Sequence, residues 1–347
     1  MRRSRPGRLI RALSAGAATV LAVAALAACG TVSAGEDGEV TTVRYQGLAG
    51  AVDPLLLADA LGELEGLKLE RVGDVTGGPQ ALQALVSNQT DIGAGAFYGA
   101  IAQLVAGGAP IKAVIPSYGS NETSNSKVVV LKDSPIRSAR DLIGKKIAVN
   151  TLGANQEATL DTWFEQEGLT PQERERITLV PLPPLNTPEA LGNGKVDAAV
   201  TSFVSYRQTA AQYDLRTLAT DIDIIGGPYA GGGLTMRTEF IEKNPTTTRT
   251  LVEGIAAAIE FAETHSADEV FDVFFPYLEQ EGFGDYIEAI EANYPGTLGL
   301  DAKAVITDED FTRWMDWLDG RGEIDAEDID VSRLYTNEFN PHAKEAS

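Results

Sequence analysis

Two separated runs of this chain follow one plan, and that repetition restricts the fold more than any other feature. Ile147-Ala148-Val149-Asn150-Thr151-Leu152-Gly153 aligns with Val43-Arg44-Tyr45-Gln46-Gly47-Leu48-Ala49. Pro188-Glu189-Ala190-Leu191 matches Pro79-Gln80-Ala81-Leu82. Asn193 and Asp197 precede a strand as Asn88 and Asp91 do, and Phe203 follows Asp197 at the offset that separates Phe97 from Asp91. Three blocks in the same order at similar spacing imply two similar strand–loop–helix lobes. Each lobe is expected to be an open, mostly parallel sheet flanked by helices, an α/β architecture. In such sheets ligands sit outside the carboxyl ends of the strands, where helices begin. Loops 46–50, 76–78, 97–98, 151–155, 185–187 and 202–203 are therefore expected to line a cleft between the lobes.

The stretch 124–160 reads as the point where one lobe ends and the other starts. An apolar strand, 128–131, runs into the polar turn Lys132-Asp133-Ser134-Pro135, and after the Gly144-Lys145-Lys146 turn a second strand opens at Ile147. A return is expected at Gly226-Gly227-Pro228-Tyr229 and Gly231-Gly232-Gly233, because glycines tolerate the backbone rotations of a hinge. The two crossings are accordingly placed at 127–131 and 231–234. This hinge-and-restart pattern resembles the periplasmic-type substrate-binding proteins of ABC importers, in particular the group for sulfonates, taurine, nitrate and thiamine-pyrimidine precursors. The resemblance covers about residues 41–340 and lies in order and spacing more than in any diagnostic peptide. It implies lobe I at 41–127 and 232–340 and lobe II at 128–231.

Composition narrows the function class. The chain has 28 basic and 50 acidic residues, a net charge of -22. Such a surface repels phosphate backbones and excludes nucleic acid as a partner. The basic residues are unevenly placed: Arg2, Arg3, Arg5, Arg8 and Arg11 precede an apolar run, 15–28, and no acid occurs before Glu36. A charged start, a short apolar run and small residues make a secretory signal, expected at 1–28. Its end, Leu26-Ala27-Ala28-Cys29-Gly30, resembles a bacterial lipobox, which implies that Cys29 becomes the lipidated first residue. Each buried acyl methylene contributes roughly 0.8 kcal/mol to membrane anchoring. Residues 29–40 then read as a tether, and the protein is expected at the cell membrane, on its extracytoplasmic face. Cys29 is the only cysteine, so no intramolecular disulfide forms and no cysteine metal cluster is available.

Catalytic constellations are scarce. His265 and His342, the only histidines, have no nucleophile or carboxylate partner suggested by motif. The chain has no nucleophile elbow, Walker loop, dinucleotide fingerprint or zinc-protease motif. Asp91-x-Gly93-x-Gly95 resembles a phosphate loop but lies inside a strand pattern. The expectation is a non-catalytic cleft with no cofactor and no metal. Backbone N–H groups at the helix starts near Gly50, Pro79, Asn155 and Pro188 suit an anion such as a sulfonate, nitrate or carboxylate. Candidate ligand residues are Gln46, Gly78, Phe97, Tyr98, Thr151, Asn155, Ser202 and Phe203, with Thr76 and Tyr229 as further neighbours and Lys127 as the one basic group beside the hinge. With no arginine clamp in view, an aliphatic sulfonate, a nitrate-like anion and a pyrimidine-type heterocycle all stay open.

The resemblance thus implies a monomeric, lipid-anchored solute receptor that delivers a small molecule to an ABC permease and ATPase complex. Two alternatives stand beside it. One is a ligand sensor or scaffold on the same fold. The other is a pyrimidine-precursor synthase-like enzyme, whose relatives use a cysteine-rich motif and histidine that this chain lacks.

Overall fold

The computed structural model describes residues 38–344 except 48, 49 and 76, and of 203 and 204 the backbone only. The expected signal peptide, Cys29 and most of the tether lie outside the described residues. The chain begins with β1 (Thr42–Gly47), α1 (Pro54–Ala60), β2 (Lys68–Asp74), α2 (Gly78–Val86), β3 (Ile92–Phe97), α3 (Tyr98–Ala106) and β4 (Ile111–Ser120). It continues with β5 (Lys127–Leu131), β6 (Lys146–Val149), α4 (Asn155–Gln166), α5 (Pro171–Arg174), β7 (Thr178–Pro181), α6 (Thr187–Gly192), β8 (Ala198–Thr201), α7 (Phe203–Gln212), β9 (Leu215–Thr220) and α8 (Asp221–Ile225). β10 (Tyr229–Arg237) returns to the first region. Helices α9 (Thr238–Lys243), α10 (Pro245–Thr264), α11 (Ala267–Gln280), α12 (Ile287–Asn293) and α13 (Asp308–Gly320) complete it.

The second lobe is built on one sheet, ordered β7-β6-β8-β5-β9. Its strands alternate between two cores. Val128, Val130, Ile147, Val149, Ala198 and Val200 face a layer with Leu160, Trp163 and Phe164 of α4. Val129, Ala148 and Ala199 face Ala190 and Leu191 of α6 on the other side. Period-two side-chain geometry explains the division, and helices on both faces explain why these strands are apolar throughout. In the first lobe β1 pairs with β2, and a separate sheet has the order β3-β10-β4. Helix α10 covers this lobe with Leu251, Val252, Ile255 and Ile259, packed with Val43, Tyr45 and the leucines of α1. Asp53 starts α1 by accepting the Leu55 N–H at 2.9 Å, with Pro54 in the first turn where its missing N–H costs nothing.

The expected parallel pairing occurs between β1 and β2 and among β7, β6 and β8. Strands next to the crossings pair the other way: β10 is antiparallel to β3 and β4, and β5 to β8 and β9. The five-stranded sheet is therefore mixed, and the three-stranded sheet is antiparallel throughout, in place of the mostly parallel sheet expected there.

The crossings also differ from expectation. Residues 127–131 are β5 itself and 231–234 lie inside β10, so the links are 121–126 and 226–228. The glycine triplet is a packing requirement rather than a flexible return. A Cβ on Gly232 would overlap the Ala96 carbonyl, and one on Gly233 would sit 2.6 Å from the Ile115 carbonyl oxygen.

Candidate functional site

The loops at the carboxyl ends of β1, β6 and β8, together with the start of α2, carry most of the candidate residues. Gln46, next to last in β1, pairs with Gly73, and its enclosed Oε1 has no hydrogen-bond partner among the described residues. Gly78 opens α2 where a Cβ would lie 2.8 Å from the Gly95 carbonyl oxygen, so glycine is needed for helix and strand to meet. Its neighbour Gly77 faces the other lobe: a Cβ there would be 3.8 Å from Thr151 Cγ2. Ser202 caps α7 and is half-buried, its N–H donating to Ser205 Oγ at 3.1 Å. Phe203's side chain lies outside what the structure describes. Loops of both lobes thus come together at 77–78 and 151.

Phe97 and Tyr98 are placed elsewhere. β3 runs straight into α3 with no loop between them, and both side chains are in the core, at 2% and 0% exposure. The Phe97 ring packs edge-on against Trp314 at 5.1 Å, and Tyr98 lies 4.5 Å from Phe311. Helix α13 covers this junction, which is why two aromatics that the sequence places on a cleft wall are interior.

The start of α4 is also different from an open anion cradle. The Asn150 N–H donates to Gln156 Oε1 at 2.7 Å, Thr151 N–H to Asn150 Oδ1 at 2.8 Å, and Gly153 N–H to Glu157 Oε2 at 2.9 Å. The carboxylate of Glu157 thus already takes up the Gly153 N–H just ahead of this positive helix end and places a negative charge there. Arg321, the C-cap of α13, bonds Glu157 at 3.0 Å and Asp161 at 2.9 Å, and also Glu323 at 2.7 Å. Three carboxylates thus surround this guanidinium.

Asn155 turns inward. Its Oδ1 accepts from the Tyr229 hydroxyl at 3.2 Å, and the same hydroxyl lies 3.2 Å from Asp221 Oδ2. Ser120 Oγ donates to that oxygen at 2.6 Å. Asp221 is 2% exposed, and burial raises its pKa against the hydrogen bonds from Ser120, Ser126 and Tyr229. Burial likewise pushes the Tyr229 hydroxyl far up, with the Asp221 charge adding to it. Lys127 sits beside this cluster with its ammonium 2.5 Å from Asn125 Oδ1 and 4.7 Å from the Tyr206 ring. Burial lowers the Lys127 pKa, and Asp221 opposes that. Sequence reading missed Asp221, Ser120, Glu157 and Arg321. An acid in Thr220-Asp221-Ile222-Asp223 has the signature of an exposed helix start, and nothing local marks it as interior.

Among the described residues, no group of three or more histidines, cysteines or acids is placed to hold a metal ion, and no helix is long and apolar enough to cross a membrane. The sequence profile of the NMT1/THI5-like family matches residues 52–268. The chain belongs to that family. A search of curated proteins gives no match. Solved structures share the fold of this NMT1/THI5-like chain. The alkanesulfonate-binding protein SsuA from Xanthomonas axonopodis pv. citri is 20% identical, with a TM-score of 0.64 over 86% of this chain and 99% of that one. The periplasmic nitrate-binding protein NrtA from Synechocystis PCC 6803 is 14% identical, with a TM-score of 0.67 over 89% of each chain. The desulfurization enzyme DSZB is 16% identical, with a TM-score of 0.60 over 88% of this chain and 99% of that one. Binding proteins and an enzyme therefore occur on this NMT1/THI5-like architecture.

Proposed function

We propose that this chain is the extracytoplasmic, non-enzymatic solute receptor of an ABC importer. Lobe I, 41–120 and 229–340, and lobe II, 127–225, joined by the links 121–126 and 226–228, close on a small molecule between them. Gln46, the Gly77-Gly78 turn, Thr151 and Ser202 line the site, and the facing of Gly77 and Thr151 is the observation that carries this reading. Neither histidine is among these lining residues: His265 stacks on Phe261 at 4.0 Å and His342 lies 3.8 Å from Glu260.

The ligand class follows from the start of α4. A sulfonate or nitrate there has to displace Glu157, whose charge Arg321 and the Gly153 N–H already hold. An uncharged, pyrimidine-type heterocycle meets no such repulsion and can hydrogen-bond Gln46 and Thr151. A thermal-shift screen with pyrimidines, sulfonates and nitrate tests this. A pyrimidine at a hundred times its dissociation constant stabilises the fold by about 2.7 kcal/mol. Stabilisation by the anions alone would reject the ligand class and keep the receptor.

Anchoring through a lipid on Cys29 completes the proposal. It predicts that Cys29→Ser protein leaves the membrane fraction, and retention of that variant after a carbonate wash would remove the anchor.

A further inference from the structure

Two helices from opposite lobes meet through side chains spaced one turn apart on each. On α4, Glu157 and Asp161 share a face at i and i+4; on the other side, Trp317 of α13 and Arg321, its C-cap, have the same spacing. Arg321 Nη1 donates to Glu157 Oε1 at 3.0 Å and to Asp161 Oδ2 at 2.9 Å, and Trp317 Nε1 donates to that second oxygen at 3.1 Å. Beside them Ala158 of α4 is fully buried in the apolar cluster of Phe311, Trp314 and Met315. The two halves differ in how they are held. On the first lobe the guanidinium lies 4.7 Å from the Trp317 ring, its Nε donates to Glu323 at 2.7 Å, and Gln103 of α3 donates to the other Glu323 oxygen at 2.9 Å. On the second lobe two like charges at i and i+4 repel each other. Neither acid has another basic partner among the described residues, so only the first lobe offsets that repulsion.

Glu157 has a second contact. Its Oε2 accepts the Gly153 N–H at 2.9 Å, in the loop whose Thr151 faces Gly77 of the first lobe. One carboxylate thus has one oxygen on a candidate ligand loop and the other on the opposite lobe. At 11% side-chain exposure, Glu157 is shielded from the solvent that makes surface pairs weak. We infer that Glu157 and Arg321 are positioning residues that couple the shape of loop 150–153 to the meeting of the lobes. While Glu157 holds the Gly153 N–H, its other oxygen is aimed at Arg321; while Arg321 holds Glu157, the loop keeps its form. Such coupling is reciprocal, so whatever orders the loop favours closure, and closure orders the loop. Only the placing of this loop in the ligand site rests on the proposed receptor, and the coupling is tested without ligand, so either can fail alone.

Full-length protein with Cys29→Ser, Asn193→Cys and Glu253→Cys, the last two at exposed positions on opposite lobes, reports lobe separation through spin labels. Arg321→Met removes the charge and keeps an unbranched side chain against Trp317. It is expected to lengthen and broaden the inter-label distance distribution. It is also expected to speed exchange of the Gly153 amide, which Arg321 does not touch, by about tenfold in NMR measurements. Glu157→Gln is expected to change the distances likewise, and adding it to Arg321→Met to change them no further, because coupled partners are not additive. Arg321→Lys, which keeps a charge without the planar fork, is expected to fall between wild type and Arg321→Met, and it replaces the methionine variant if that one does not fold. With folding verified by circular dichroism, wild-type Gly153 exchange in Arg321→Met overturns the coupling whatever the distances. Wild-type distances in that variant, or fully additive effects of Arg321→Met and Glu157→Gln, overturn the joint between the lobes.

Discussion

Asp91 in the first lobe and Asp197 in the second make the same backbone connection and stand in different surroundings. The Asp91 N–H donates to the Arg44 carbonyl and its carboxylate accepts the Arg44 N–H, both at 2.9 Å. Asp197 does this with Lys146 at 2.8 and 2.9 Å. Around Asp91, however, the guanidiniums of Arg44 and Arg237 lie at 2.8 and 3.0 Å, and the carboxylate is 7% exposed. Asp197 is 39% exposed, with Lys145 at 3.9 Å. Arg237 comes from β10, which lies antiparallel between β3 and β4 as β5 lies between β8 and β9. One shared device has become a buried charge network in one lobe and a surface clasp in the other, because the crossing strand β10 ends in Arg237 where β5 ends in Leu131.

Substitutions at equivalent positions sharpen this contrast. Asp91→Asn leaves two guanidiniums short of their charge partner and is expected to lower stability by about 3–5 kcal/mol in denaturant melts. A loss below 1 kcal/mol would make the network equivalent to the surface clasp. Burial acts to raise the Asp91 pKa, but the Arg44 and Arg237 hydrogen bonds outweigh it and the pKa is lowered. A depressed folded pKa gives stability that is present above the unfolded value, near 3.8, and is lost as pH falls through the folded one. Asp91→Asn should therefore flatten the acid limb of a stability–pH curve. Asp221, raised by burial, has the opposite sign: its contribution is complete below 3.8 and is lost as pH rises through its folded pKa.

A smaller effect is expected where the two helix ends turn. Asn88 and Gly194 both take left-handed backbone, at φ of 58° and 66°. Gly194→Ala is expected to cost about 1–2 kcal/mol by thermal unfolding, since a Cβ is strained in that region. An unchanged melting temperature would show that this turn relaxes freely. The smallest change is expected for Asp197→Ala, about 1 kcal/mol, because water can replace the partner of a half-exposed N–H. If it matches Asp91→Asn, the comparison fails.

The repeat itself was legible, but its register was not. Hydrogen bonding pairs Arg44 with Asp91 and Lys146 with Asp197, so Arg44 corresponds to Lys146, two residues from the alignment that set Val43 against Ile147. In the helices, Gln89 N–H donates to Ala84 O as Lys195 N–H does to Ala190 O, so Ala190 corresponds to Ala84 rather than Ala81. Slips of two in a strand and three in a helix are the ones that keep a side chain on the same face. Apolar patterning cannot detect them. Asp91, Asp197, Phe97 and Phe203 kept their spacing because no loop of variable length lies between them.

Apolar alternation and helical periodicity were enough, from the sequence by itself, to determine an α/β chain with two related lobes and its order of elements. Those periods report which face of an element is buried. They carry no information about which distant element will cover it. The tertiary structure alone decided that α13 buries Phe97 and Tyr98, that β10 brings Arg237 to Asp91, and that Glu157 fills the start of α4. It likewise decided that Asn155, Asp221 and Tyr229 share one cluster. Each of these joins residues from elements far apart in sequence, and hydrogen-bond partners are chosen by distance and desolvation in the packed molecule, which no local pattern encodes.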